Sequence, residues 1–291
     1  MPGLVAPWAA LRRHAATVNL WPVLESLSSA PEVAGRDEWQ AAGLPPRLLP
    51  LCGDESEGDW LLAHDPCWPT SLFGLPHGPV ALSWQGNVDL FKAPAVAVVG
   101  ARACTPYGRS SARRIAAAVA EAGGVVVSGL ARGIDAEAHA AADGRTIAVL
   151  GQGVLAPMPD WQLDVRRRVL AAGGLVISEF PAHFPAGIST FPIRNRIIAG
   201  LARAVVVVEA AHRSGARNTA AHALRAGREV LAVPGILGAP ASLGCLEMIA
   251  EGAQIVTGEG SVLEAAGLGA PRAGLTVRER RLSGGSYQME R

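Results

Sequence analysis

Four stretches of the chain carry arginines, three of them together with glycines, in a way that suits the binding of phosphate. Gly100-Ala101-Arg102 runs on to Thr105 and Gly108. Ser128-Gly129-Leu130-Ala131-Arg132-Gly133 leads into Asp135 and His139. Phe191-Pro192-Ile193-Arg194-Asn195-Arg196 precedes the apolar Ile197, Ile198 and Leu201. Arg213-Ser214-Gly215 comes before Thr219. Glycine lets a backbone turn tightly and present its N–H groups, and a helix start adds partial positive charge. A guanidinium adds paired donors that fit a phosphate. Phe191 offers a ring on which a base can stack. Each residue also has a structural reading. Arg102 can form a salt bridge at the sheet edge, Phe191 can be core, and Asp135 can cap the helix that follows it. Asp135 and His139, four apart on one helix face, are expected to share a local hydrogen bond.

These turns need a scaffold, and the chain supplies one from Ala95 onward. Short valine-rich runs (95–99, 125–127, 146–150, 175–177, 204–208, 229–233 and 254–256) alternate with helix-like stretches (110–122, 135–142, 162–172, 194–202, 219–226 and 245–251). Continuous apolar runs mark strands covered on both faces, and regular alternation with helices marks parallel crossovers. The fold class is α/β, an extended Rossmann-like, doubly wound and mostly parallel sheet. In such sheets ligands sit beyond the carboxyl ends of the strands, where the three glycine turns fall. Glu179 and Glu209 end two of the runs and lie within possible reach of the arginines.

Residues 1–85 read differently, with six tryptophans and many prolines. They are expected to form a small helical N-terminal domain and an irregular lead-in to a core over 86–266. Residues 267–291 are expected to be a flexible tail without a winged-helix domain. The net charge is only +1, so a polyanion must bind a local patch. From Arg194 to Glu229 seven arginines meet two acids, Glu209 and Glu229, which supplies such a patch. Cys52, Cys67, Cys104 and Cys245 match no metal-binding spacing and are expected to be reduced thiols. Neither a secretion signal nor a membrane span is visible, which points to the cytoplasm. No catalytic residue, metal ligand or cofactor is assigned.

The motifs together resemble the DNA-processing protein A (Smf) family from about Pro69 to Gly258. Gly100-Ala101-Arg102, Ser128 to Asp135, Phe191 to Leu201, Val208-Glu209-Ala210, Ser214 to Ala220 and Val233-Pro234-Gly235 follow in the family's order. The resemblance implies binding and protection of incoming single-stranded DNA during natural transformation, loading of the recombinase RecA, and a homodimer; contacts through phosphates imply little sequence preference. It further implies DNA contacts at Arg102, Arg132, Phe191, Asn195, Arg196 and Arg213, in a pocket shaped by Ser128, Gly129, Gly133, Ser214 and Gly215. Three positions depart from the pattern: Ala101 for serine, Met158 for the tyrosine before Pro159, and Leu246 for asparagine. The alternative is a nucleotide-hydrolysing, phosphoribohydrolase-like enzyme using Glu179 or Glu209. Its Pro-Gly-Gly-x-Gly-Thr turn is absent. The G-x-G-x-x-G fingerprint of a dinucleotide site is absent too.

Overall fold

The computed structural model describes residues 59–63, 65–180 and 182–269, together with two short segments, 280–281 and 287–288. The helical domain expected in the first 58 residues, and Cys52 with it, lies outside the described residues. So does most of the tail expected beyond 269, apart from an antiparallel pairing of Arg280–Arg281 with Tyr287–Gln288.

Nine strands form one sheet: β1 (Asp59–Leu62), β2 (Ala81–Gly86), β3 (Ala95–Val99), β4 (Val125–Ser128), β5 (Thr146–Val149), β6 (Leu175–Ser178), β7 (Ala204–Val207), β8 (Glu229–Ala232) and β9 (Gln254–Ile255). Their order is β1-β2-β6-β5-β4-β3-β7-β8-β9. From β6 through β9 the neighbours are parallel. The helices are α1 (Pro106–Glu121), α2 (Ile134–Ala141), α3 (Asp160–Ala171), α4 (Thr190–Leu201), α5 (Gly215–Arg225), α6 (Pro240–Ala250) and α7 (Glu259–Ala265). None of them is long and apolar enough to cross a membrane. The chain winds from β3 outward to β6, then returns to place β7 on the other side of β3. The loops leaving β3 and β7 therefore diverge, and a crevice opens between them.

The strands match the apolar runs because both sheet faces are covered. Every residue of β3, β4, β5, β6 and β7 is buried. The helices begin before their apolar stripes do. Pro106 and Pro240 occupy the first turns of α1 and α6, where a missing N–H breaks no bond. Phe191 and Pro192 likewise lie in the first turn of α4. The α1 stripe is Ala112, Ile115, Ala116 and Val119, a helical spacing that packs on Val96 and Val98.

The expected boundary near residue 85 is not where the sheet begins. β1 and β2 extend it antiparallel beside β6. The proline-rich segment between them covers α4. Leu72 and Leu75 press so closely on Gly200 that a Cβ there would lie 2.8 Å from Leu75 Cδ2. Arg196 Nε donates to His77 O at 2.7 Å, and Arg228 Nη2 donates to Ser71 O at 2.9 Å. A buried, two-pronged ion pair completes the anchor: Arg196 Nη1 and Nη2 meet Glu179 Oε1 and Oε2, each at 2.5 Å. The lead-in, the end of β6 and α4 thus form one packed unit.

His139 does not bond Asp135. Its Nδ1 lies 2.7 Å from Thr146 Oγ1, whose proton goes to Val126 O at 2.9 Å. The hydroxyl must therefore accept, so Nδ1 carries the imidazole proton. Burial, with the positive charge of Arg194 adding to it, pushes the His139 pKa down to about 3.

Two outcomes follow. Arg196→Ala leaves Glu179 charged and buried and should lose about 3–5 kcal/mol in denaturant unfolding. The double change Glu179→Leu/Arg196→Met should lose less than that single change, and equal or greater loss would contradict the pairing. For His139, the unfolded chain binds a proton near pH 6.5 that the folded chain refuses until about pH 3. Stability therefore falls as pH drops through that window, by up to roughly 1.4 kcal/mol per pH unit. His139→Gln should show a smaller loss between neutral pH and pH 4.5 than the parent chain, and an equal loss would contradict the assignment.

Candidate nucleic-acid interface

A cleft of about 680 Å³ lies at the crevice between the β3 and β7 loops. Gly100, Arg102, Phe191, Asn195, Arg213 and Ser214 are among its lining residues, joined by Asp135, Arg194, Gly215 and Thr219. Phe191, Arg194 and Asn195 reach it because α4 starts at its rim. The Phe191 ring rests on the chain at Gly151, where a Cβ would sit 2.7 Å from Phe191 Cδ1. The Arg102 guanidinium stands over that ring, 5.6 Å from its centroid. Asn195 Nδ2 donates to Asn218 Oδ1 at 3.1 Å and ties α4 to α5.

Two of the four anion seats expected from the sequence are filled by the protein itself. At the start of α1, the buried Glu209 carboxylate accepts the Thr105 N–H at 2.9 Å and the Thr105 hydroxyl at 2.5 Å. Gly108 allows this approach, since a Cβ there would fall 2.3 Å from Glu209 Cδ. Thr105 Oγ1 in turn accepts the Gly108 N–H, so Thr105 caps α1. The turn after β4 is closed in the same way. Asp135 Oδ2 accepts the Gly129 N–H at 3.0 Å and the Ala131 N–H at 3.4 Å. This corrects its expected role: Asp135 lies inside the first turn of α2, whose cap position is Gly133, and it binds the preceding loop rather than the helix. Ser128 Oγ points into the sheet and donates to Val98 O at 2.7 Å, so it offers no hydroxyl to an anion. Gly129 and Gly133 shape the site by close packing. Their Cβ atoms would meet the Arg194 guanidinium at 2.6 Å and Ala101 O at 2.3 Å.

The arginines divide into two groups. Arg194 and Arg196 were expected to clamp a backbone, but both guanidinium groups are buried. Arg196 belongs to Glu179. Arg194 forms part of the cleft floor, with Nη1 donating to Gly129 O at 2.7 Å and also to Val149 O. Burial lowers the Arg194 pKa to about 10, which leaves it charged at neutral pH; Asp135 opposes this shift and Arg102 adds to it. Burial likewise raises the Asp135 pKa, offset in part by Arg194. Arg102, Arg132 and Arg213 are exposed, and among the described residues none of them donates a hydrogen bond or pairs with a carboxylate. Other exposed arginines do pair: Arg109 and Arg113 with Glu137, and Arg114 with Glu259. Arg168, Arg203 and Arg225 are also exposed and, among the described residues, without a carboxylate partner, but Arg102 and Arg213 are the two that line the cleft.

The start of α5 remains open. Ser214 caps it by accepting the Ala216 N–H at 3.2 Å, and nothing lies within 4 Å of the position a Cβ would take on Gly215. Arg132 is the exception to the convergence. It turns away from the cleft and lies over Trp161, 4.8 Å from a ring centroid. Trp161 went unremarked in the sequence, although it is the only tryptophan beyond residue 85. Asn218 was also missed, at a variable position of the Ser214–Thr219 motif. Among the described residues no group of three or more His, Cys, Asp or Glu side chains is placed to hold a metal ion.

Comparison with known proteins gives a consistent result. Residues 59–267 match the family DNA recombination-mediator protein A. DNA processing protein DprA of Streptococcus pneumoniae is 44% identical over 205 residues, which are 68% of this chain and 71% of that protein. Protein Smf of Escherichia coli K12 is 41% identical over 218 residues, 74% of this chain but only 58% of its own length. The X-ray structure of the pneumococcal protein superposes with a TM-score of 0.76 at 34% identity, covering 87% of this chain and 95% of that one. DNA processing protein A of Helicobacter pylori, solved to describe its single-stranded DNA binding mode, superposes with a TM-score of 0.65 at 26% identity, covering 72% and 97%. With the family model matched over residues 59–267 and the pneumococcal protein 44% identical over 68% of this chain, the chain belongs to the DNA recombination-mediator protein A family.

Proposed function

We propose that the cleft binds single-stranded DNA by its phosphates, with little preference for sequence, and that the protein is a binder rather than an enzyme. The observation that carries this reading is that the exposed arginines at the cleft have no carboxylate partners. Arg102 and Arg213 flank the open start of α5, and Arg132 stands on the rim next to Ala131. An exposed guanidinium with no partner is a ready site for a phosphate oxygen. Phe191 under Arg102 offers a stacking surface, and Asn195, Thr219 and Gly215 complete the lining. Arg194 lends charge from below. We assign Arg196 a structural role in place of the DNA contact expected from the sequence.

The non-enzymatic reading rests on the acids. Glu179 and Glu209 are the candidates for hydrolysis, and both are buried and bound by the protein's own donors. A dinucleotide is disfavoured for the same reason, because the Glu209 carboxylate holds the place at the α1 start where a pyrophosphate would sit. The single-stranded DNA described for the H. pylori relative supports the choice of ligand. By analogy with the family, the protein acts in the cytoplasm as a homodimer that delivers bound strands to the recombinase RecA.

Two outcomes test this. In fluorescence anisotropy, a labelled oligo-dT should bind more tightly than the matching duplex. Its affinity should fall with salt at about 0.7 log units per log unit of salt for each phosphate neutralised. Arg102→Ala/Arg213→Ala should lower that slope and weaken binding by roughly 10- to 100-fold. No binding at low salt, or an unchanged double variant, would overturn the reading. Separately, Glu209→Gln, which keeps the shape but loses the charge, should leave oligo-dT affinity within about threefold while lowering the thermal midpoint. A large loss of affinity with an unchanged midpoint would place Glu209 in the DNA site instead.

A further inference from the structure

We propose that Arg132 and Trp161 form a second stacking platform, outside the cleft, that holds a base of the same strand after it crosses the rim. This rests on the reading of the cleft as a single-stranded DNA site. Three features of the structure support it.

The first is the shape of the loop after β4. Leu130 has φ +56 and Gly133 has φ +73, both in the left-handed region. The chain between them is sharply bent, with Ala131 lining the cleft and Arg132 carried over the other side. The two faces of this short wall are one residue apart, so a strand leaving the cleft over Ala131 meets Arg132 next.

The second is rigidity. Leu130 is fully buried and roots the loop in the core with Ala148, Val165 and Val176. Gln162, the residue after Trp161, donates Nε2 to Leu130 O at 3.3 Å and ties the first turn of α3 to the loop. Asp135 holds the Gly129 and Ala131 N–H groups. The arginine and the ring beneath it are therefore set in place by separate contacts on each side.

The third is what the pair leaves unused. The Arg132 guanidinium lies on the Trp161 ring and, among the described residues, makes no hydrogen bond or ion pair. An exposed cation on a ring adds little to stability. A guanidinium lying on a ring does, however, present a flat face for a base and a free edge of N–H donors for the neighbouring phosphate. Arg102 on Phe191 repeats the same pairing inside the cleft. Two arginine-on-aromatic pairs thus stand on opposite sides of one wall, suited to successive parts of one strand.

Affinity should therefore rise with oligomer length until the strand spans the wall, and Trp161 should supply part of that rise. The test is anisotropy with dT5, dT10 and dT20 on the full chain, comparing the parent with Trp161→Ala and Trp161→Phe. The ratio of dT20 to dT5 affinity should fall by about 5- to 100-fold in Trp161→Ala. Trp161→Phe, which keeps a ring, should recover part of it. The tryptophan emission that separates the parent from Trp161→Phe should be quenched by dT20 and not by dT5. An unchanged length ratio in Trp161→Ala, or quenching that dT5 produces equally, overturns the platform and leaves the cleft reading standing. Failure of the parent to bind any of the oligomers overturns both.

Discussion

Three carboxylates at the carboxyl end of the sheet decide which positive groups remain available there. Glu209 binds the start of α1, Asp135 binds the turn after β4, and Glu179 binds Arg196. Each is buried, so each must be matched by donors; an unmatched charge would cost several kcal/mol. Once matched, they remove two glycine turns and one arginine from the set of possible anion contacts. What remains is Arg102, Arg213, the start of α5 and, over the wall, Arg132. A chain with almost no net charge thus keeps Arg102 and Arg213 available at the cleft because the acids nearest them are matched to other donors.

The strand order explains why that place is where it is. β3 and β7 are neighbours whose chains continue in opposite directions, so no helix fills the gap between their ends. α4 borders the gap and is held from behind by the lead-in through Arg196, Arg228, Leu72 and Leu75. The segment that looked like a separate preface in the sequence is therefore part of what positions Phe191 and Asn195. Gly129, Gly133 and Gly151 serve the same end, each allowing an approach that a Cβ would block. Thr146 and His139 fix α2 against the sheet below the cleft.

The parallel strands were legible because burial on both faces leaves continuous valine runs, and the fold class followed from their alternation with helices. β1 and β2 were not legible. β2 pairs with β6 some 95 residues away, and prolines on either side of both strands mask the pattern. The starts of α2 and α3 were placed within two residues, whereas α1, α4 and α6, each with a proline in its first turn, and α5 begin four or five residues earlier than expected. Within the site, the arginine and glycine positions were visible as types, and their fates were not. Arg196 looks like Arg102 in sequence, and only a glutamate 17 residues earlier separates them. The filling of the α1 seat depends on a residue 104 positions from Thr105, which no local spacing reveals. Trp161 carried no signal beyond its isolation from the other tryptophans.

The central claim is that strand phosphates sit between Arg102, Arg213 and the start of α5, and not at the internally filled turns. The most direct measurement is a crystal structure of the chain with a short oligo-dT. A phosphate within hydrogen-bonding distance of the Arg102 or Arg213 guanidinium and the Gly215 N–H, with Glu209 still bound to Thr105, is the result expected. A phosphate at the start of α1 with Glu209 displaced, or a strand lying on a surface away from the cleft, would contradict it.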